Sequence, residues 1–208
     1  MSQIALPLAL RGSGEPARIV LGPANFHVAD ALRNPARWPF RTAVLVGPPR
    51  SGKSLFARWF AESGQGEAID GADALDETEL FHRWNRAQED GRPLLLVSDA
   101  AHWEIALPDL RSRLGAALNL EIGAPDDPMI AALIESHAAA RGLALAEGAP
   151  TYLVPRAERS FAGVERLVEA IDRLSLERKA PATQSIWRDA LDSVVGPEQG
   201  KLDLDPEN

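Results

Sequence analysis

Residues 47–54 read Gly47-Pro48-Pro49-Arg50-Ser51-Gly52-Lys53-Ser54 and match the pattern G-x-x-x-x-G-K-[ST], whose chemistry is the holding of a phosphate chain. Glycines let the backbone wrap closely around phosphate oxygens, and the amides at the start of the following helix donate to them. Lys53 brings a cation to the β- and γ-phosphates, and Ser54 offers a hydroxyl to Mg²⁺. A nucleotide with Mg²⁺ is therefore the expected cofactor. An acidic residue at the end of a neighbouring strand normally completes the metal's contacts, and Asp70 is the candidate. Hydrolysis asks for one more polar group to orient the attacking water. Gly71 follows Asp70 without a side chain, and Asp73 is the nearest substitute, so intrinsic turnover is expected to be slow or absent.

A cradle of this kind works only between a strand and a helix, and the flanking sequence supplies both. Thr42 to Val46 is a short apolar run of strand type ending at Gly47. From Ser54 onward Leu55, Phe56, Trp59 and Phe60 recur at helical spacing until Gly64. Glu67 to Asp70 forms a brief strand, after which Asp76 caps a helix carrying Leu80, Phe81, Trp84 and Ala87 on one stripe. Pro93 to Ser98 is a continuous apolar run of the kind buried on both faces of a parallel sheet. This alternation predicts an α/β fold, a P-loop parallel sheet flanked by helices. From Asp126 the pattern is helical only: Met129, Ile130, Leu133 and Ile134 share a face, as do Leu167, Val168, Ile171 and Leu174, and then Ile186, Trp187, Ala190 and Leu191. A small all-helical subdomain is expected there, and residues 196–208 read as a disordered polar tail.

Composition narrows the partners. The 208 residues carry a formal charge of -8, which argues against direct, sequence-specific binding to nucleic acid through the net field. There is no cysteine, and the four histidines lie without ligand spacing, so no protein-bound metal beyond nucleotide Mg²⁺ is expected. No apolar run approaches the length of a membrane span, and a cytoplasmic protein is expected. The aromatic pairs Trp59/Phe60 and Phe81/Trp84 sit on apolar helix faces without interleaved basic residues, which fits core packing better than base stacking.

The order of these pieces resembles the AAA+ domain of DnaA, the bacterial replication initiator, and most closely the short DnaA-related regulators of the Hda family. The resemblance rests on Gln3 to Leu8, on residues 47–54, on 68–99, on Leu107 to Leu114 and on the late helix 161–175. It implies a helical lid over a AAA+ sheet, with residues 1–12 as an N-terminal peptide, 13–124 as the P-loop α/β domain and 125–195 as the lid. Gln3, Ile4, Ala5, Leu6, Pro7 and Leu8 resemble the peptide by which such regulators bind the DNA polymerase sliding clamp. Arg113 falls at the position of an arginine finger aimed at a partner's nucleotide, with Arg111 beside it. Ser98 and Asp99 fall at the end of the sensor strand; for the second sensor the alignment sets Glu165 against the expected arginine, leaving Arg166 as the candidate and Arg159 nearby. One departure concerns the stretch before Asp70, which is too short for the strand and helix usual in the family, so the sheet is expected to lack one strand.

The resemblance implies a regulator that holds ADP or ATP, sits on the sliding clamp, and presents Arg113 to ATP bound by DnaA. A homodimer is among the expected forms. Two other readings stay open: a helicase-loader-like AAA+ adaptor, which ATP-dependent self-assembly would favour, and a small P-loop metabolite kinase, which would need an acceptor pocket and a closing lid rich in arginine. In the tail, Gln199, Leu202 and Leu204 echo the spacing of the N-terminal peptide, but Asp203 and Asp205 flank them.

Overall fold

A computed structural model describes residues 19–100 and 103–195. They form two compact units, one ending at Asp126 and the other beginning at Asp127.

The first unit is built on a four-stranded, wholly parallel sheet in the order β2-β3-β1-β4, with β1 Thr42–Val46, β2 Glu67–Ile69, β3 Leu94–Val97 and β4 Leu118–Glu121. Every residue of β3 is buried, as are Thr42 to Leu45 of β1. Val44, Leu94 and Leu96 face a cluster completed by Leu80, Trp84, Leu110 and Leu114, while the alternate residues Ala43, Leu45, Leu95 and Val97 are equally buried. Both faces are thus covered, which is why the central strands read as unbroken apolar runs rather than alternating ones. The helices are α1 Phe26–Arg33, α2 Lys53–Glu62, α3 Glu77–Glu89 and α4 Pro108–Gly115. Asp76 caps α3 as its sequence predicts, accepting from the Thr78 and Glu79 amides at 3.0 Å each.

Only Ser63–Gly66 separate α2 from β2, and β2 borders the sheet with no described strand beyond it. The short connection is possible because Gly66 passes very close to its neighbours. A Cβ at this position would stand 2.3 Å from the Pro93 carbonyl oxygen and 2.7 Å from the Phe60 ring. The Pro93 carbonyl already accepts the Glu67 amide at 2.8 Å, so backbone cannot give way without losing the β2–β3 ladder. Gly66→Ala is expected to destabilise the fold by about 3 kcal/mol, an overpacking cost at a backbone contact. Urea unfolding reads this as a lower midpoint at unchanged slope.

The second unit contains α5 Asp127–Ala140, α6 Ala149–Leu153, α7 Phe161–Arg178 and α8 Gln184–Val195. Their apolar stripes meet in one cluster that includes Ile130, Ile134, Leu167, Val168, Ile171 and Trp187. Ser160 caps α7 by accepting the Gly163 amide at 2.9 Å.

Candidate functional site

The carboxyl ends of all four strands lie on one edge of the sheet, and the chain leaves β1 toward β3 and β2 on one side with β4 on the other. A crevice at such a switch point is where open α/β sheets place their ligands. The loop from Gly47 to Gly52 occupies it. Gly47 is pinned there: a Cβ would lie 2.9 Å from the Ile122 Cβ and 3.2 Å from the Ser51 hydroxyl. Gly52 caps α2 with φ of 90°, a left-handed conformation suited to glycine, and Arg50 adopts φ of 65° beside it.

Lys53, the first residue of α2, is 6% exposed and reaches back over the loop. Its Nζ donates to the Gly47 carbonyl at 2.8 Å and to the Pro48 carbonyl at 3.4 Å, and pairs with the Asp99 carboxylate at 3.1 Å. Ser51 is buried, and its hydroxyl has no hydrogen-bond partner among the described residues. A buried unpaired hydroxyl costs free energy unless a ligand supplies its partner. This orphan, the glycine cradle and a buried ammonium at a helix N-terminus form a donor set that fits a phosphate chain.

Ser54 and Asp70, placed together in the sequence analysis as metal contacts, line one cavity of about 200 Å³ with Ala57, Arg58, Ala61 and Ala68. Among the described residues no three His, Cys, Asp or Glu side chains converge, so a cation beside Ser54 would take most of its shell from phosphate oxygens and water.

The turn after β3 holds features that the sequence did not disclose. Ser98 is fully buried and uses its hydroxyl to close the turn, donating to the Ala100 carbonyl and accepting from the Ala100 amide, each at 3.1 Å. Its neighbour Asp99 is the residue whose side chain meets Lys53. Asp73, offered above as a substitute for water orientation, is committed elsewhere. Its two carboxylate oxygens accept the amides of Asp99 and Ala100 at 3.1 Å each, so it braces the turn. Glu77 acts likewise on the Ala106 and Leu107 amides, at 2.8 and 2.5 Å, fixing the start of α4. Asp73, Asp76 and Glu77 thus each hold backbone amides.

Arg113 projects from α4 onto α3. Its Cζ lies 4.5 Å from the ring centre of Phe81 and 4.4 Å from that of Trp84, and its Nη1 donates to the Asn85 side-chain oxygen. Arg111 is turned to its own chain, donating to the Ile105 carbonyl at 2.8 Å and the Ala106 carbonyl at 3.2 Å. The two neighbouring arginines thus have separate surroundings. In the second unit Arg166 pairs with Glu158 at 2.5 Å and Arg159 with Asp127 at 2.6 Å. Gln3 to Leu8 and the tail residues Gln199, Leu202 and Leu204 lie outside the described residues. Among the described residues no helix is long and apolar enough to cross a membrane.

Comparison with known proteins adds three likenesses. No family model matches the chain. The chromosomal replication initiator protein DnaA of Lactiplantibacillus plantarum is 26% identical over 122 residues, which is 57% of this chain and 26% of that protein. The match therefore spans about a quarter of the relative's length. Domain III of the Thermotoga maritima replication initiation protein DnaA superposes with a TM-score of 0.70 at 15% identity, over 86% of this chain and 95% of that one. A replication initiator DnaA bound to AMPPCP and single-stranded DNA gives 0.57 at 16% identity, over 76% and 65%. The fold is that of a AAA+ P-loop domain, with DnaA among its relatives.

Proposed function

We propose that this chain is an Hda-like regulator of replication initiation, which holds an adenine nucleotide, docks on the DNA polymerase sliding clamp, and directs Arg113 at ATP bound by DnaA. The observation that carries the reading is the state of Arg113. Among the described residues no carboxylate pairs with it, and its hydrogen-bond partner is the neutral amide of Asn85. A guanidinium held in place with its full charge is what a neighbouring subunit's phosphates would use.

The chemistry assigned to the arginine takes place in the partner. Water attacks the γ-phosphorus, the bond from that phosphorus to the β–γ bridging oxygen breaks, and ADP, inorganic phosphate and a proton leave. Negative charge grows on the bridging and γ-phosphoryl oxygens as that bond lengthens, and a fixed cation there lowers the barrier. Arg113 neither gives nor takes the proton.

The chain's own nucleotide would lie on residues 47–54, where Lys53 and the Ser51 hydroxyl meet its phosphates and Ser54 and Asp70 face its Mg²⁺. When bound, that metal neutralises phosphate charge. With Gly71 in place of a second acid and Asp73 engaged as a brace, nothing near Asp70 in sequence is available to orient a water, which supports slow intrinsic turnover.

The direct test is the affinity of the purified chain for its host's sliding clamp, measured beside Gln3→Ala/Leu6→Ala. In this reading the glutamine amide bonds at the rim of an apolar groove that Leu6 and Leu8 fill, with Pro7 limiting the freedom lost on binding. Binding by the natural sequence and its loss in the double variant are expected. Equal binding by both, or binding by neither, removes the clamp from the proposal. ATP-dependent self-assembly without clamp binding would favour the loader-like adaptor.

A further inference from the structure

Arg113 meets three residues of one helix. Phe81, Trp84 and Asn85 stand at i, i+3 and i+4 on α3, the spacing that puts side chains on a single face. The two rings approach the guanidinium carbon at 4.5 and 4.4 Å, and the Asn85 oxygen takes an N–H from Nη1. Ring faces attract the guanidinium through its flat faces and leave its in-plane donors unused. Trp84 is nearly buried and its indole N–H has no partner among the described residues, so the ring is seated for its face at a cost to its polar edge.

We infer that Phe81, Trp84 and Asn85 form a holder that fixes the plane and direction of the Arg113 guanidinium while leaving its charge undiminished and its remaining N–H edge open to an anion from another molecule. This rests on the regulator reading for its consequence, though the holder itself stands on this chain alone. An arginine on a bare helix face samples many rotamers, and ordering it at each encounter would weaken the transition state it serves. Two ring faces within 4.5 Å of its carbon and one hydrogen bond remove that cost in advance. The choice of amide over carboxylate matters equally. An aspartate at position 85 would accept the same hydrogen bond but pair with the cation, reducing the charge it presents. Phe81, Trp84 and Asn85 are thus positioning residues, acting through Arg113 without touching the partner's phosphates.

Two measurements on the 208-residue chain test this. Arginine side-chain NMR, with the Arg113 signals assigned by their disappearance in Arg113→Lys, should show them displaced upfield by ring currents, and Phe81→Leu should return them toward the values of a solvated arginine. Stimulation of hydrolysis of DnaA-bound ATP is then titrated on clamp-loaded protein. Phe81→Leu and the isosteric Asn85→Asp should each lower the maximal rate at least about tenfold while the half-saturating concentration stays within about twofold. Phe81→Tyr, which keeps a ring, should restore the rate. Because Asn85→Asp preserves shape and hydrogen bond, a merely structural role for Asn85 predicts no loss. Arg113 signals at solvated positions in the natural chain overturn the holder, as do variants that stimulate normally or change only half-saturation. Displaced signals that Phe81→Leu abolishes, in a chain that stimulates nothing, uphold the holder and sink the regulator reading.

Discussion

Arg113→Ala should leave nucleotide and clamp binding intact and lower the stimulation of DnaA's ATP hydrolysis by about a thousandfold or more. The size follows from where charge develops. Phosphoryl loss involves little covalent work by protein, so the barrier is set by positioned cations, and a fork delivered by a second subunit is among the largest single contributions. Arg113→Lys is expected to recover little, since an ammonium lacks the planar fork that can meet a ring with its face and still donate in plane. Arg111→Ala is the matched control. Arg111 secures the Ile105 and Ala106 carbonyls ahead of α4, so its loss should lower stability modestly without the catalytic collapse. Stimulation by Arg113→Ala equal to that of the natural sequence would sink the finger assignment. Since the truncation also removes the contacts to Phe81 and Trp84, a thermal melt of the variant must accompany the assay.

Lys53→Ala should abolish measurable nucleotide binding, a loss of about a hundredfold or more where a charge-assisted contact to phosphate is removed from a buried site. The fold should survive. Lys53 bridges the Gly47 carbonyl and Asp99, but Asp99 is 78% exposed and is readily solvated once its partner is gone. The variant leaves the Ser51 hydroxyl and the loop amides in place, so isothermal calorimetry reads the effect of removing the cation alone. Affinity retained within a few fold would refute the proposed role of residues 47–54 as the nucleotide site.

The phosphate cradle was legible because its parts are contiguous: glycine, lysine and serine at fixed spacing between an apolar run and a helical stripe. β1, β2, β3 and the cap at Asp76 were readable for the same local reason. β4 was not, since Leu118–Glu121 is four alternating residues on a sheet edge, where half the positions face outward and no long apolar run forms. The tertiary contacts of the site were also hidden. Asp99 meets Lys53, Asp73 braces the Asp99 and Ala100 amides, and Arg113 enters the face of Phe81 and Trp84 from 28 residues beyond Asn85. Such pairings depend on which strand ends lie side by side, a property of the sheet order and not of any local spacing. The aromatic pair of α3 shows this best. His82 and Arg83 stand between the two rings in sequence but off their helical stripe, so the pair reads as core, yet the cation that meets it comes from another helix.

The short connection between α2 and β2 has a consequence for how this chain behaves among its own copies. β2 ends the sheet with its outer backbone groups facing no described strand, and such a border is a template on which a stray strand can build. Here the template is three residues long, and its first, Glu67, is bound to Arg83 at 2.6 Å. A visiting chain would find one or two ladder bonds beside a charged pair, too little to start a growing stack. At this border, brevity and the Glu67–Arg83 pair both oppose edge-to-edge growth.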